Sequence, residues 1–363
     1  MVNVAILGYG VVGSGVAELI GQNALKIDAA AAVPIRVKYI LDIRDFPGSP
    51  FAGCFVKDFA AIENDPDVQV VVECIGGMKF AYDFTRRALL AGKHVVTSNK
   101  ELVAERGDEL LALTEEKNLS YLFEASVGGG IPVIRPLSRC LAANRITEIC
   151  GILNGTSNYV LTAMRRGRTS FDDALAQARA LGYAESDPTD DIEGHDACRK
   201  ICILASLAFG KHIYPRQVHT EGISRITGED MDYAAAHGYR IKLLGRAALM
   251  EDGRPAILVT PHMVPLENPL AMVEGVFNGI MARGNAVGDV MFYGRGAGKL
   301  PTASAVVADI IDIANHFDAR KRRPWGAHEE SFAADFSSLQ SEWYTRPGGG
   351  LRIRILPSGE ASV

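Results

Sequence analysis

The chain has 363 residues, of which 48% are hydrophobic, and its formal net charge is −5. This length suggests about two globular domains, and the acidic balance argues against a nucleic-acid-binding protein. No stretch has the apolar length of a membrane span, and the chain opens on a predicted strand without a basic leader. We therefore expect a soluble, cytoplasmic protein without nucleic-acid or membrane partners, whose six scattered cysteines are reduced core residues.

An apolar run at residues 2–7 leads into the turn Gly8-Tyr9-Gly10-Val11-Val12-Gly13 and then into a helical pattern. Gly8 permits the tight turn, Gly10 lets a pyrophosphate approach the backbone, and Gly13 lets the helix pack closely on the strand. A bare GxGxxG is also compatible with a plain glycine-rich turn. Here it ends a strand and opens a helix, so it predicts an N-terminal Rossmann domain that binds a dinucleotide.

The second predicted strand, residues 35–43, runs into two residues that would read the cofactor differently. Asp42 and Arg44 lie two positions apart and would share one face of a strand. An acid accepts a hydrogen bond from a free ribose 2′-hydroxyl, whereas an arginine accommodates a 2′-phosphate. The choice between NAD and NADP stays open on this evidence, with a slight preference for NADPH.

Two further predicted strands end in residues that suit a ligand. Residues 68–74 precede Gly76, and residues 94–97 precede Ser98 and Lys100. Ligands of open α/β sheets bind at the carboxyl ends of the strands. Lys100 is therefore either a cofactor-side or catalytic lysine, or a surface lysine that opens the next helix.

Two loops expose groups that could hold charged ligands. In residues 124–132 three glycines expose the backbone, whose carbonyls could ligate a cation or contact a nicotinamide. Residues 154–158 offer hydroxyls and amides at a predicted helix start. That arrangement suits a carboxylate, although Asn, Thr and Ser also serve as ordinary helix caps.

Residues 181–210 crowd acids into an irregular first half and continue as a helix that is almost free of charge. Asp191 or a neighbour is the expected N-cap of this helix. Asp196 and Lys200 lie four residues apart and share one helical face. Partial burial of such a pair would tune the lysine for proton transfer; the alternative is an ordinary helical ion pair.

The predicted fold class is α/β. We expect a Rossmann domain at residues 1–135, completed by residues 300–325, and a second α+β domain for catalysis and dimerisation at residues 136–299. From residue 326 to 363 the pattern weakens into a linker at 345–350 and one isolated strand at 351–356. This tail is too short for an independent core and could at most add an edge strand to a neighbouring sheet or subunit.

Six blocks of residues 2–320 closely resemble the homoserine dehydrogenase family: GYGVVGSG, VVTSNKELVA, FEASVGGGIPVIRPL, GILNGTSNYVL, LGYAESDPTDDIEGHDACRKICILA and GRGAGKLPTASAVVAD. The resemblance implies reversible NAD(P)-dependent interconversion of L-homoserine and L-aspartate 4-semialdehyde, in threonine and methionine biosynthesis. It also implies a homodimer paired through the sheet of the second domain. Many relatives carry a C-terminal regulatory domain of the ACT type, of which only a remnant is expected here.

The resemblance further implies roles for individual residues. The amino-acid end of the substrate is assigned to Glu185 and Asp191, with Gly155 and Thr156 nearby. Asp196 positions the reacting end, and Lys200 with Lys100 handles the hydroxyl proton. The cofactor-binding set is Gly8, Gly10, Val11, Val12, Gly13, Arg44, Gly76, Ser98, Lys100 and Gly298. A structural monovalent cation, expected to be sodium, is assigned to Glu124 and the carbonyls of Val127, Gly129 and Ile131.

Two other functions compete with this interpretation. A semialdehyde dehydrogenase that oxidises an aldehyde needs a cysteine nucleophile beside a histidine base, and neither Cys74 nor Cys140 has a matching context. A non-catalytic NAD(P)-binding sensor would keep the glycine motif. It has no reason to retain this set together: Lys100, Glu185, Asp196 and Lys200.

Overall fold

The computed structural model describes residues 1–357. Its strands are β1 (Val2–Leu7), β2 (Ile35–Leu41), β3 (Phe55–Val56), β4 (Val70–Glu73), β5 (His94–Thr97), β6 (Tyr121–Leu122), β7 (Ile146–Ile152), β8 (His219–Thr220), β9 (Tyr239–Leu249), β10 (Pro255–Pro265), β11 (Phe277–Gly284), β12 (Gly288–Arg295), β13 (Glu342–Thr345) and β14 (Arg352–Ile355). Its α-helices are α1 (Val11–Gln22), α2 (Ala24–Ala31), α3 (Ala60–Glu63), α4 (Lys79–Leu90), α5 (Lys100–Lys117), α6 (Gly155–Gly167), α7 (Phe171–Ala180), α8 (Thr189–Ile192), α9 (His195–Phe209), α10 (Gly228–Ala236) and α11 (Lys299–Asn315). Within these residues no helix combines the length and the apolar character needed to cross a membrane.

The chain divides into two compact units. Among the described residues, the first unit contains 1–135 and 297–327, and the second contains 136–296 and 328–357. The first unit is therefore discontinuous, because the chain returns to it at α11 after strands β7 to β12 of the second sheet.

The sheet of the first unit is parallel throughout, with its strands in the order β3-β2-β1-β4-β5-β6. Its central strands are continuous apolar runs, as expected for strands covered on both faces. Val4, Val70 and Val72 are fully buried and belong to one core with Val16 of α1 and Val306 of α11. This strand order is that of the doubly wound dinucleotide-binding fold, which confirms the predicted class.

The turn between β1 and α1 depends on glycine. Gly8 has a φ of +90°, a region that L-residues rarely adopt. A Cβ on Gly13 would lie 1.9 Å from the carbonyl oxygen of Gly8. Only glycine at position 13 therefore lets α1 start so close to the end of β1.

The second unit is built on an eight-stranded mixed sheet with the order β12-β11-β7-β9-β10-β14-β13, to which β8 adds by pairing with β10. Its centre is the antiparallel pair of β9 and β10, each 11 residues long. Helix α9 lies close against this pair, since a Cβ on Gly245 would come within 3.1 Å of Ile201. The sheet thus supports the apolar side of α9 and fixes where its polar residues lie.

Helix α9 starts differently from the prediction. Its N-cap is Gly194, in the left-handed conformation (φ +84°) and without a side-chain cap. The predicted cap, Asp191, lies in the short helix α8 and accepts a hydrogen bond from the Asn154 side chain instead. A glycine suits this position because it adopts the left-handed conformation without the steric cost that a side chain brings.

The tail after residue 327 also differs from the prediction. Strand β14 is not isolated, because it pairs antiparallel with β13 and parallel with β10. The predicted linker is the hairpin turn between them, and its Arg346 forms an ion pair with the buried Asp230 at 2.5 Å. The hydroxyl of Tyr344 donates to the same carboxylate. These contacts make the hairpin an integral part of the second unit.

Candidate active site

The ligand-facing edge of the first unit is made of backbone. The carboxyl ends of β1, β4 and β5 lie side by side, since Leu7 pairs with Glu73 and Glu73 pairs with Thr97. A Cβ added to Gly10 or Gly76 would meet no atom within 4 Å. Such open backbone next to the first turn of α1, whose N–H groups have no partner within the helix, fits the pyrophosphate of a dinucleotide. Those N–H groups belong to Val11, Val12 and Gly13.

The other predicted cofactor residues of this unit lie at helix starts. Lys100 is the half-buried first residue of α5, and the side chain of Asn99 caps this helix by accepting from the backbone N–H of Leu102. Ser98 donates its backbone N–H to the carbonyl of Glu73 at 3.3 Å. Gly298 is the N-cap of α11, with a φ of +131°.

Asp42 and Arg44 are bonded to each other and do not lie on a strand. β2 ends at Leu41, and the Asp42 carboxylate accepts from the backbone N–H groups of Tyr9 (2.8 Å) and Arg44 (2.9 Å). It also accepts from Nε and Nη2 of Arg44, both at 3.0 Å. The hydrogen bonds from Arg44 lower the pKa of Asp42 far below its usual value, so this carboxyl stays ionised.

A cavity of about 350 Å³ lies beside this pair, between the first turn and α4. Its lining residues are Gly8, Leu41, Asp42, Ile43, Lys57, Asp58, Phe59, Ile75, Phe80, Phe84 and Arg87. Lys57 was not predicted; its Nζ donates to the carbonyls of Arg44 (2.7 Å) and Ile43 (3.1 Å). It follows β3 directly, so a prediction of that two-residue strand would have marked it as another residue at a carboxyl end.

The loop after β6 is organised by the buried carboxylate of Glu124. Its Oε1 accepts from the backbone N–H groups of Val133 (2.6 Å) and Ile134 (2.8 Å), and its Oε2 accepts from that of Arg135 (2.8 Å). The carboxylate therefore closes the loop on itself. The predicted carbonyl ligands belong to buried residues of this loop: Val127, Gly129 and Ile131.

In the second unit, Asp196 and Lys200 form a buried pair. Nζ of Lys200 donates to Oδ2 of Asp196 at 2.7 Å and to the carbonyl of Leu153 at 2.8 Å. The side chains are 5% and 9% exposed, respectively, which is far below a solvated helical ion pair. Burial of the pair is thus confirmed, and Leu153, which directly follows β7, helps to fix the direction of the ammonium group.

Asn154 joins two of the predicted acids, a role that sequence reasoning missed. Its Nδ2 donates to Asp191 (2.6 Å) and Asp196 (2.9 Å), while its Oδ1 caps α6 by accepting from the backbone N–H of Ser157. The loop at residues 154–158 does open a helix, as predicted, and capping by Asn154 was the alternative given for it. The second task of Asn154 had no signal, because its partners lie 37 and 42 residues away.

Asp191 is held in a way that raises its pKa. Burial contributes most, and the negative charge of Asp196 adds to it, against the hydrogen bond from Asn154. Two carboxylates that share one amide donor therefore lie next to the ammonium of Lys200, which gives the cluster a net negative character suited to a cationic group.

The remaining substrate residues lie around α6, with one exception. Gly155 and Thr156 are its first two residues, and the Thr156 hydroxyl donates to the carbonyl of Tyr183 at 2.6 Å. Glu185 is exposed, and among residues 1–357 it has no hydrogen bond or ion pair. The structure thus brings Asp191, Asp196 and Lys200 together and does not link Glu185 to them.

Two family models cover the chain: one described as homoserine dehydrogenase, NAD binding domain, matches residues 8–124, and one described as homoserine dehydrogenase matches residues 132–311. The homoserine dehydrogenase of Neisseria gonorrhoeae is 45% identical, covering 88% of this chain and 73% of its own length. That of Pseudomonas aeruginosa is 43% identical, covering 94% and 79%. The chain belongs to the homoserine dehydrogenase family.

Solved structures of the family agree with this assignment. A homoserine dehydrogenase from Thiobacillus denitrificans has a TM-score of 0.88 and 40% identity, covering 96% of this chain and 84% of the other. A hyperthermophilic archaeal homoserine dehydrogenase in complex with NADPH has a TM-score of 0.73 and 28% identity, covering 88% and 99%.

As a member of this family, the protein is an NAD(P)-dependent oxidoreductase acting on a CH–OH group. The two competing functions lose their support. Burial strongly raises the pKa of the Cys74 thiol, so it is not an activated nucleophile. A pure cofactor sensor does not account for the match of residues 132–311 to the homoserine dehydrogenase model.

Proposed function

We propose that the Asp196–Lys200 pair serves the reacting end of homoserine. The observation that carries this assignment is the burial of an ion pair whose ammonium is held by two acceptors, at 2.7 and 2.8 Å. Once its ammonium has released one proton to solvent, Lys200 would be a neutral amine that takes the hydroxyl proton during oxidation and returns it during reduction, and Asp196 would keep this amine in place. The nicotinamide supplies the hydride chemistry when it is bound. Lys100 keeps, as a proposal, the share in proton transfer that the resemblance implies.

The amino-acid end of homoserine carries an ammonium and a carboxylate, which need opposite partners. We assign the ammonium to Asp191 and Glu185, of which Asp191 has the stronger support because it belongs to the cluster around Asn154. We assign the carboxylate to the first turn of α6, where the backbone N–H groups of Gly155 and Thr156 have no partner within the helix.

For the cofactor we propose NADPH, with NADH also accepted. The Asp42 carboxylate already accepts four hydrogen bonds, from the Tyr9 and Arg44 backbones and twice from the Arg44 side chain. A carboxylate has about four acceptor sites, so little capacity remains for a ribose 2′-hydroxyl. Arg44, which pairs with Asp42, and Lys57, which pairs with Asp45, are the nearby cations that a 2′-phosphate could also engage, and the archaeal relative binds NADPH.

We further propose a structural sodium ion in the Glu124 loop. The support is chemical: three buried residues, Val127, Gly129 and Ile131, offer carbonyl oxygens, the ligand type that hard cations prefer. Among the hydrogen bonds of residues 1–357, none is accepted by these three carbonyls. A higher unfolding temperature in sodium chloride than in choline chloride, lost in Glu124→Gln, would support the ion.

The remaining proposals concern context. We propose a homodimer that pairs through the sheet of the second unit, and a place in threonine and methionine biosynthesis, with a small amino acid as the molecule acted on. Six free cysteines are compatible with a reducing cytoplasm.

One assay tests the activity directly. We expect absorbance of the reduced nicotinamide to rise when homoserine is added with NADP⁺, and to rise less steeply with NAD⁺ at equal concentration. No change with either cofactor, although both bind, would favour the sensor function. Activity on the semialdehyde that requires phosphate would favour the semialdehyde dehydrogenase.

A further inference from the structure

A carboxylic acid lies buried in the middle of the parallel sheet of the first unit. Glu73, the last residue of β4, is 0% exposed and is paired on one side with Leu7 and on the other with Thr97. An acid in this position is costly unless its oxygens are hydrogen-bonded. Oε1 accepts from the backbone N–H of Ile75 at 2.7 Å, and Oε2 accepts from the Thr97 hydroxyl at 2.5 Å.

The hydrogen bonds continue from Thr97 into the loop that begins α5. Thr97 Oγ1 accepts from the backbone N–H of Asn99 at 2.9 Å. The Asn99 side chain donates back to the carbonyls of Gly77 (2.9 Å) and Ile75 (3.3 Å), and its oxygen caps α5. A closed circuit therefore ties the loop after β4 to the loop after β5.

Both loops carry residues assigned to the cofactor. The first contains Gly76, and the second leads from Ser98 to Lys100, which follows Asn99 directly. We propose that Glu73, Thr97 and Asn99 form a clamp that positions the Gly76 backbone and Lys100 for the reaction. These three are positioning residues, and the part of the inference that concerns Lys100 rests on its proposed function.

The ionisation of Glu73 gives the clamp a measurable signature. Burial raises the pKa of Glu73 to about 7, against the hydrogen bonds from Thr97 and Ile75. The titratable groups that face it are Tyr121 and Cys74, whose pKa values burial raises far above neutrality, so neither ionises in the same range. As the pH rises through 7, a negative charge develops at the end of β4, next to the glycine turn that receives the cofactor phosphates.

The first test removes the two hydrogen bonds that the Thr97 hydroxyl makes in the clamp. Thr97→Val keeps the shape and the strand preference of the side chain but leaves Glu73 and the Asn99 N–H without their partner. We expect the dissociation constant of NADH to rise about ten-fold and kcat/KM for homoserine to fall by a similar factor. Thr97→Ser restores the hydroxyl and should return both values to within about two-fold of the parent.

The second test removes the charge and keeps the clamp. In Glu73→Gln the amide oxygen can accept from Ile75 and the amide nitrogen can donate to Thr97. The parent should bind NADH progressively less tightly from pH 6 to pH 8, and the Gln variant should show a flatter profile. NADH is the probe because it lacks the 2′-phosphate, whose own ionisation near pH 6 would distort the comparison.

Two outcomes overturn the clamp: a Thr97→Val protein that melts earlier but binds NADH and turns over like the parent, or equal pH profiles for the parent and Glu73→Gln. Lys100→Ala separates this failure from failure of the proposed function. Unchanged turnover in Lys100→Ala would remove the catalytic role of Lys100, and the NADH dissociation constants of the Thr97 variants would still decide whether the clamp exists.

Discussion

The cofactor edge of the first unit is made mainly of open backbone, whereas the polar cluster of the second unit is made of side chains bonded to one another. At Gly10 and Gly76 an added Cβ would meet nothing within 4 Å. In the cluster, by contrast, the Asn154 side chain donates to Asp191 and Asp196. The Lys200 side chain donates to Asp196 and to the carbonyl of Leu153.

This difference reflects what each region has to recognise. A pyrophosphate can be bound by N–H groups that every residue carries, so side chains need only stay out of the way. An amino acid with a hydroxyl to oxidise needs a proton acceptor and charged partners of both signs, which only side chains supply. We therefore expect substitutions in the cluster to affect turnover, and substitutions at the cofactor edge to affect mainly cofactor affinity and choice.

The largest effect is expected for Lys200→Ala, which removes the proposed proton-transfer group from the cluster. Turnover should fall by about a hundred-fold or more, while the dissociation constant of NADPH stays that of the parent. The matched control is Lys211→Ala, whose lysine pairs with Glu329 on the surface. Parent-like turnover in Lys200→Ala, or an equal loss in Lys211→Ala, would show that Lys200 is not the proton-transfer group.

The next largest effect is on stability and tests whether the tail hairpin supports the second unit. Arg346→Ala leaves the buried Asp230 without its cation and should lower the free energy of unfolding by about 2 kcal/mol. Arg352→Ala is the control, because this exposed residue of the same hairpin stacks on Trp343 without a buried partner. Urea unfolding curves give the free energy of unfolding of both variants. Equal midpoints for the two variants would show that Arg346 does not stabilise the second unit through Asp230.

The same pair predicts a pH dependence. Burial would raise the pKa of Asp230, but the hydrogen bonds from Arg346 and Thr227 outweigh it and the net pKa is lowered. A lowered pKa in the folded state means that the stabilisation is present above the ordinary pKa of aspartate and is lost as the pH falls below it. The difference in the free energy of unfolding between the parent and Arg346→Ala should therefore become smaller as the pH falls below the ordinary pKa of aspartate.

A smaller effect is expected for cofactor choice. Arg44→Ala should weaken NADPH about ten-fold and NADH much less, because only NADPH carries the 2′-phosphate. Arg36→Ala serves as the control, since this arginine lies on β2 and pairs with Asp28. Fluorescence titration of the parent and both variants with NADPH and NADH measures the dissociation constants. Equal weakening of NADPH and NADH in Arg44→Ala would show that Arg44 does not read the ribose.

The smallest effect is a shift in how substrate binding depends on pH. Because burial raises the pKa of Asp191, it takes up a proton at a higher pH than an exposed aspartate. If its ionised form binds the ammonium, KM for homoserine should rise a few-fold as the pH falls through that pKa, and Asp191→Asn should abolish the rise. Asp190→Asn, which alters an exposed partner of Arg199, should keep it.

Most elements of the first unit could be predicted from the sequence, because the signals that mark them are local. The glycines of the turn act within six residues of each other, and continuous apolar runs marked the buried parallel strands. Asp196 and Lys200 were also found, since a spacing of four residues places them on one helical face whatever surrounds the helix. The blocks that resemble the family could be recognised for the same reason, because each is a short contiguous motif.

The hydrogen-bond partners of the polar side chains depend on the tertiary structure. Asn154 holds Asp191 and Asp196, and Glu73 meets Thr97, across separations of 24 to 42 residues that no local pattern encodes. Likewise the tail had the alternation of a strand, but only pairing with β10 gave it a place in the sheet. Hydrogen bonds and burial depend on which surfaces meet after the chain has folded. Polar residues can therefore be identified in the sequence, but the residues that they contact cannot be predicted from it.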